Sequence, residues 1–213
     1  IDEALAAVKA LESAKSEQKE KPSKHRAARA STTDADARMM RMGDGGHAPA
    51  YNVQFAVDTE SRAIVGVDVT NQGSDANESG PMRAQVESRT GQQVEEHLMD
   101  GGFVNLRAIE SAEASGVRIY APVPKPKRPG TSRYWHRSTD GPGVRGWRSR
   151  MRQRVSQAIY RQRAASVETV NADVKQHRGL RQFPVRGLQK VRCVTLLVAL
   201  SYNLIHFGSQ LLA

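Results

Sequence analysis

The sequence predicts an α/β fold built on a mixed sheet with flanking helices. Two observations carry that expectation. Between Tyr51 and Val123, segments of strand and helix period follow one another as strand, strand, helix, strand, helix, strand. Beyond about Arg145 only helical periodicity remains.

Residues 1 to about 20 carry Ala4, Ala7, Val8 and Leu11 at helical spacing, and Pro22 is expected to end that helix. Residues 1–30 then read as an exposed appendage with a basic linker, and residues 31–213 as the main domain. Asp34 to Gly46 reads as loop because Gly43, Gly45 and Gly46 cluster there. Tyr51, Val53, Phe55 and Val57 alternate with Asn52, Gln54 and Ala56, the period of a half-buried strand. Asp58 to Ser61 is a turn signal, and Ala63 to Val69 is the hairpin partner. Residues 81–90 suit a helix with Pro81 in its first turn. Val94 to Met99 reads as a strand, Asn105 to Ala114 as a helix stopped by Gly116, and Val117 to Val123 as a strand. Asp100 stands at the carboxyl end of a strand, where ligand sites of such sheets gather.

Residues 122–147 hold five of the nine prolines. Lys125, Lys127, Arg128, Arg133 and Arg137 are interleaved there with Tyr134 and Trp135. Such a basic loop suits stacking on nucleic-acid bases, and it suits equally a loop pinned to the body by Trp135. Arg145 to Arg163 contains seven arginines and no acid, and Lys175 to Arg192 six basic residues and no acid. Arg148, Arg152 and Val155 are spaced to share a helix face. Gly179 is expected to end the preceding helix, and a final apolar helix from about Val185 is expected to pack against the sheet as core.

The formal net charge is +10 over 213 residues. That balance points to a polyanionic partner, nucleic acid ahead of membrane. The single cysteine, Cys193, excludes an internal disulfide and a cysteine-built zinc cluster, and fits a reducing cytoplasm. The most apolar run, Cys193 to Leu200, is too short to span a bilayer, and no signal peptide is visible. A first residue of Ile1 fits a fragment or a processed product.

The stretch from Tyr160 to Lys175, YRQRAASVETVNADVK, reads as helix. Arg161 and Lys175 lie seven residues either side of Glu168, close to two turns, so the three share a face. Taken alone this is an ordinary solvated helix face. A lone carboxylate among cations also suits a metal-holding group flanked by phosphate contacts.

From about Ser31 onward the chain resembles the DDE transposases of bacterial insertion sequences, which carry an RNase H-like catalytic core. The resemblance runs through STTDADARMMRMGDGG, AYNVQFAVD, IVGVDVTN, LMDGGF, YRQRAASVETVNADVK and RGLQKVR. It implies that Asp100, before Gly101-Gly102-Phe103, is the second catalytic Asp, and that Glu168 is the catalytic Glu. Tyr160, Arg163, Glu168 and Lys175 match the family's Tyr, Arg, Glu, Lys signature. One departure is visible: four residues, rather than the usual three, separate Arg163 from Glu168. The resemblance implies two Mg²⁺ or Mn²⁺ ions about 4 Å apart, held by three carboxylates. Asp100 and Glu168 would be two of these and would approach within roughly 8 Å. Arg161, Arg163, Lys175, Arg178 and Tyr160 would contact double-stranded DNA, at the element's ends and at its target. A homo-oligomeric active form and a nucleoid-associated cytoplasmic location are further expectations. Residues 1–30 resemble the tail of a helical insertion that follows the first catalytic Asp. The first, central strand and that Asp would then lie upstream of Ile1, leaving this chain truncated and inactive. Asp58 and Asp68 rank below that reading as the third carboxylate. His97 and His177 read as structural. The competing functions are a non-catalytic basic DNA-binding remnant and, on charge alone, an RNA-binding protein.

Overall fold

The computed structural model describes residues 1–17 and 28–211. The helix end expected at Pro22 and most of the basic linker lie outside them. Helix α1 (Asp2–Glu17) leaves most of its described side chains exposed and buries Ala4.

The expected loop after Asp34 is in part a hairpin. Strands β1 (Arg38–Arg41) and β2 (His47–Ala50) pair antiparallel, Arg38 opposite Ala50. The glycines that read as loop make its turn: Gly45 takes φ +88, and the Gly46 N–H donates to the Asp44 carboxylate at 2.8 Å. The strands RMMR and HAPA lack β-branched residues, so nothing in their composition announced them. The aspartates just upstream hold the loop to the far end of the chain. Asp34 accepts from the Tyr51 hydroxyl and the Gly187 N–H, and Asp36 accepts from the Leu188 N–H.

Strands β3 (Asn52–Val57) and β4 (Ile64–Thr70) form the expected hairpin, Val53 opposite Val69 and Phe55 opposite Val67. Helix α2 (Ser79–Thr90) packs on β4 at Gly66, where a Cβ would lie 2.6 Å from Met82 Sδ. Strand β5 (Glu96–Leu98) pairs in parallel with β6 (Arg118–Tyr120) through helix α3 (Leu106–Ala114). Asn105 caps α3, accepting from Arg107 and Ala108 N–H groups.

Helices α4 (Pro142–Arg152), α5 (Arg154–Arg163), α6 (Thr169–His177) and α7 (Leu188–Leu211) follow. A π-helical turn, Ala164–Glu168, joins α5 to α6. One core gathers Ile109, Val117, Ile119, Val144, Trp147 and Met151 between α3, β6 and α4. The other gathers Ile64, Val67, Val170, Val174, Ala199 and Tyr202 between β4, α6 and α7.

Four further expectations change. The strands form three separate two-stranded sheets among the described residues rather than one mixed sheet, because β3 and β5 do not pair. Helix α4 begins inside the expected loop. Trp135 is 62% exposed and so is not buried as an anchor in the core, whereas buried Trp147 donates to the Ala121 carbonyl at 3.2 Å. The arginine stripe is broken: Gln153 leaves helical geometry at ψ 140, and Arg148 is buried against Asp140 at 2.8 Å. That contact is ionic rather than a well-aligned hydrogen bond, and Asp140 Oδ1 has no hydrogen-bond partner among the described residues. The Arg148 guanidinium also donates to the Arg133 carbonyl, so the pair holds the basic loop to the body.

Helix α7 is 24 residues long and apolar enough, by length and composition, to cross a membrane. One face packs as expected: Val191, Thr195 and Tyr202 are buried, and Asn203 exchanges hydrogen bonds with both backbone groups of Ile64. Leu197, Leu200, Leu204 and Ile205 line an exposed face.

Candidate active site

Asp100 lies two residues past the end of β5 and caps a 3₁₀ turn, Gly101–Phe103. Its Oδ1 accepts the Gly102 N–H at 2.7 Å, which leaves Oδ2 facing outward. Arg163, at the end of α5, reaches that oxygen at 3.3 Å with Nη2. The same guanidinium reaches Glu168 Oε1 at 3.1 Å with Nη1. One planar fork therefore spans two carboxylates that stand 68 positions apart in sequence.

The π turn makes this contact possible. In an α-helix, residues five apart point in different directions, since successive positions rotate by about 100°. The π register takes more residues per turn and brings Arg163 round to Glu168. Thus the extra residue between Arg163 and Glu168 is absorbed as a bulge. The buried Ser166 supports the widened turn, its hydroxyl lying 3.0 Å from the Gln162 carbonyl and 3.2 Å from that of Arg163.

A further carboxylate stands beside Asp100. Asp75, in the loop between β4 and α2, accepts from the Asn52 and Gln54 side-chain amides. Its Oδ2 and Asp100 Oδ1 each lie 3.1 Å from where a Cβ on Gly102 would be. Gly102 thus lets two carboxylates approach across a bare backbone. Sequence reasoning missed Asp75; its one signal was an acid in the polar stretch NQGSDANESG after a strand.

The transposase DDE domain family model matches residues 27–204. The chain belongs to this family. No curated protein and no solved structure matches it.

In this transposase domain a cavity of about 820 Å³ opens between β3 and β5, and every residue of both strands lines it. Asn52, which begins β3, reaches Asp75, which adjoins Asp100 beyond the end of β5. The two strands therefore run in opposite directions along the cavity, with Asp75 and Asp100 toward one end and Asp58, Glu60, Glu95 and Glu96 toward the other. Each edge strand carries an orphaned polar atom: Gln54 Oε1 and His97 Nδ1 are buried with no hydrogen-bond partner among the described residues. Burial, with the nearby Arg83 charge second, lowers the His97 pKa to about 4, so the ring is neutral at pH 7.

Of the other acids considered, Asp58 lies at the opposite end of β3, about 20 Å of extended chain from Asn52. It accepts from the Ser61 N–H and hydroxyl as a turn former. Asp68 sits on β4, one strand farther from the cavity, and pairs with Arg192 at 3.4 Å.

Among the cations, Arg161 and Lys175 are exposed on α5 and α6. Arg163, not Arg161, is the residue brought to Glu168. Arg178 is engaged internally, donating to Asp173 at 2.7 Å and lying over the Tyr202 ring. Tyr160 packs against the core cluster of Met99 and Trp147, and burial raises its pKa. The described residues contain no group of three His, Cys, Asp or Glu side chains that could hold a metal ion. The fit of Asp100 and Glu168 to a cation rests instead on the guanidinium already placed between them.

Proposed function

We propose that residues 1–213 carry two of the three carboxylates of a DNA cleavage and strand-transfer site, Asp100 and Glu168. The carrying observation is that a single cation, the Arg163 guanidinium, is shared by both carboxylates, and that Asp100 and Arg163 line the cavity. Their hard oxygens suit Mg²⁺ or Mn²⁺. A divalent ion held there supplies Lewis acidity toward a phosphoryl oxygen and a more acidic bound water. The chain's own residues orient the site: Gly102 fixes the Asp100 rotamer, and the π turn sets Glu168 opposite. Exposed Arg161 and Lys175, seven positions either side of Glu168 in sequence, serve as contacts to the phosphates of double-stranded DNA. The +10 charge supports that partner and, with it, a nucleoid-associated cytoplasmic location.

The cavity supports the finer reading of the fold. Among the described residues it has two unpaired strand edges, antiparallel to one another, and an orphaned polar atom on each. One extended strand would satisfy both edges, antiparallel to β3 and parallel to β5, as in an RNase H-like sheet. An aspartate near its carboxyl end would lie beside Asp100 and complete the three carboxylates. In this reading that strand comes from outside residues 1–213, and the chain alone does not cut DNA.

The test is nicking of supercoiled plasmid with Mn²⁺. We expect none from the chain alone. We expect nicking when a seven-residue peptide of alternating valines, with one aspartate near its carboxyl end, is added. That activity disappears with Glu168→Gln or with asparagine in the peptide. Nicking by the chain alone that requires Glu168 would overturn the strand reading.

A further inference from the structure

We propose that Arg163 is the resident counter-ion of the Asp100–Glu168 pair, and that a divalent cation must displace it to bind. This rests on reading the pair as a cation site.

Two carboxylates facing one another without a cation repel. Here one guanidinium serves both, with contacts of 3.3 Å and 3.1 Å. Its side chain is 22% exposed, against 42% for Asp100 and 59% for Glu168, so it is the inner member of the trio. Arginine stays protonated and has no lone pair to offer a metal. It cannot join a coordination shell and competes for the same oxygens. The arrangement is built into the backbone: without the π turn and its Ser166 brace, residue 163 would not face residue 168.

Displacement has a second consequence. A freed Arg163 guanidinium is a cation at the end of α5 without its carboxylate partners, and a phosphate can take it. Metal and DNA are then coupled: a phosphate that draws Arg163 away clears the carboxylates, and a metal that expels Arg163 supplies a phosphate contact. Such coupling is reciprocal by linkage.

The experiment measures free Mn²⁺ by electron paramagnetic resonance at constant ionic strength. It compares the wild-type chain with Arg163→Gln, Arg163→Lys and Glu168→Gln, each checked for folding by circular dichroism. We expect Arg163→Gln to bind Mn²⁺ about tenfold more tightly, because the competing charge is gone. Arg163→Lys should fall between, since one ammonium cannot fork to two carboxylates, and it serves as the readout if the glutamine variant does not fold. Glu168→Gln should lose the site. A short duplex should tighten Mn²⁺ binding in the wild type and not in Arg163→Gln. Binding by Arg163→Gln equal to or weaker than wild type, with Glu168→Gln still losing the ion, would overturn the counter-ion proposal alone. Indifference of Mn²⁺ binding to Glu168→Gln would overturn the underlying site reading and the proposal with it.

Discussion

Deleting Ala165 is expected to leave the domain folded and as stable as before, or slightly more so. A single deletion inside a helix rotates everything beyond it by about 100°. Val170 and Val174, 0% and 1% exposed, would then leave the core between β4 and α7. Exposing both would cost about 3–6 kcal/mol at 1.5–3 kcal/mol per buried side chain. The π turn changes that expectation. Ala164–Glu168 already holds one residue more than an α-helical turn needs, so removing one lets the ladder close in α register. The faces of α5 and α6 keep their phase, and Arg163 remains opposite Glu168, now four positions away. The regained backbone hydrogen bond contributes about 1 kcal/mol, offset in part by the lost Ser166 bonds. Inserting a second alanine between Ala164 and Ala165 has no such outlet and should show the full loss. Urea unfolding followed by circular dichroism gives both values. A deletion variant as destabilised as the insertion variant would refute the view that the turn absorbs an extra residue.

Stability should fall in mild acid. His97 has a folded pKa of about 4, below the usual 6.5, so the unfolded chain binds the proton first. The contribution is fully present above about pH 6.5 and is lost as pH drops toward 4, by up to about 3 kcal/mol. His97→Leu should flatten that slope in melts between pH 4 and 7. Asp140→Ala should cost about 3–5 kcal/mol by stranding the buried Arg148 charge, whereas Asp140→Ala with Arg148→Met should recover most of it; equal losses in single and double variants would show that packing, not charge, is at stake. Duplex binding should weaken steeply with salt, and Arg161→Gln or Lys175→Gln should each reduce the log–log slope by about one. An unchanged slope would remove that residue from the phosphate contacts.

The elements legible in the sequence are those whose signal is local. The Val53, Phe55, Val57 alternation located β3, and its turn and partner located β4. The helical run from Asn105 to Ala114, stopped by Gly116, located α3, and the structure adds that Asn105 is its cap. Asp100 was placed at a strand end, and Glu168 in a continuous run of helical segments, because both positions follow from period and turn chemistry. What was not legible depended on register or on distant partners. The π turn looks like helix in composition, and its spacing anomaly acquires meaning only when Arg163 is seen between two carboxylates. Arg148 sat in an acid-free arginine run that reads as solvated charge, yet Asp140, eight positions upstream, takes it into the core. Asp75 lay in a polar loop, and only the bare backbone of Gly102 brings it beside Asp100. Separation of the strands into pairs was likewise invisible locally, since pairing between β3 and β5 is a non-local matter.

The pairing of Asp100 with Glu168 around one divalent ion is tested most directly by metal-directed cleavage of the protein itself. Fe²⁺ is loaded in place of Mg²⁺, and ascorbate with peroxide generates hydroxyl radicals at the ion. Backbone cuts are then mapped by mass spectrometry. The account predicts two clusters of cuts, one near Asp100 and Gly102 and one near Glu168. Both should vanish with excess Mg²⁺ and in Glu168→Gln. Cuts at one of the two segments alone, or cuts that persist in Glu168→Gln, would contradict a shared site.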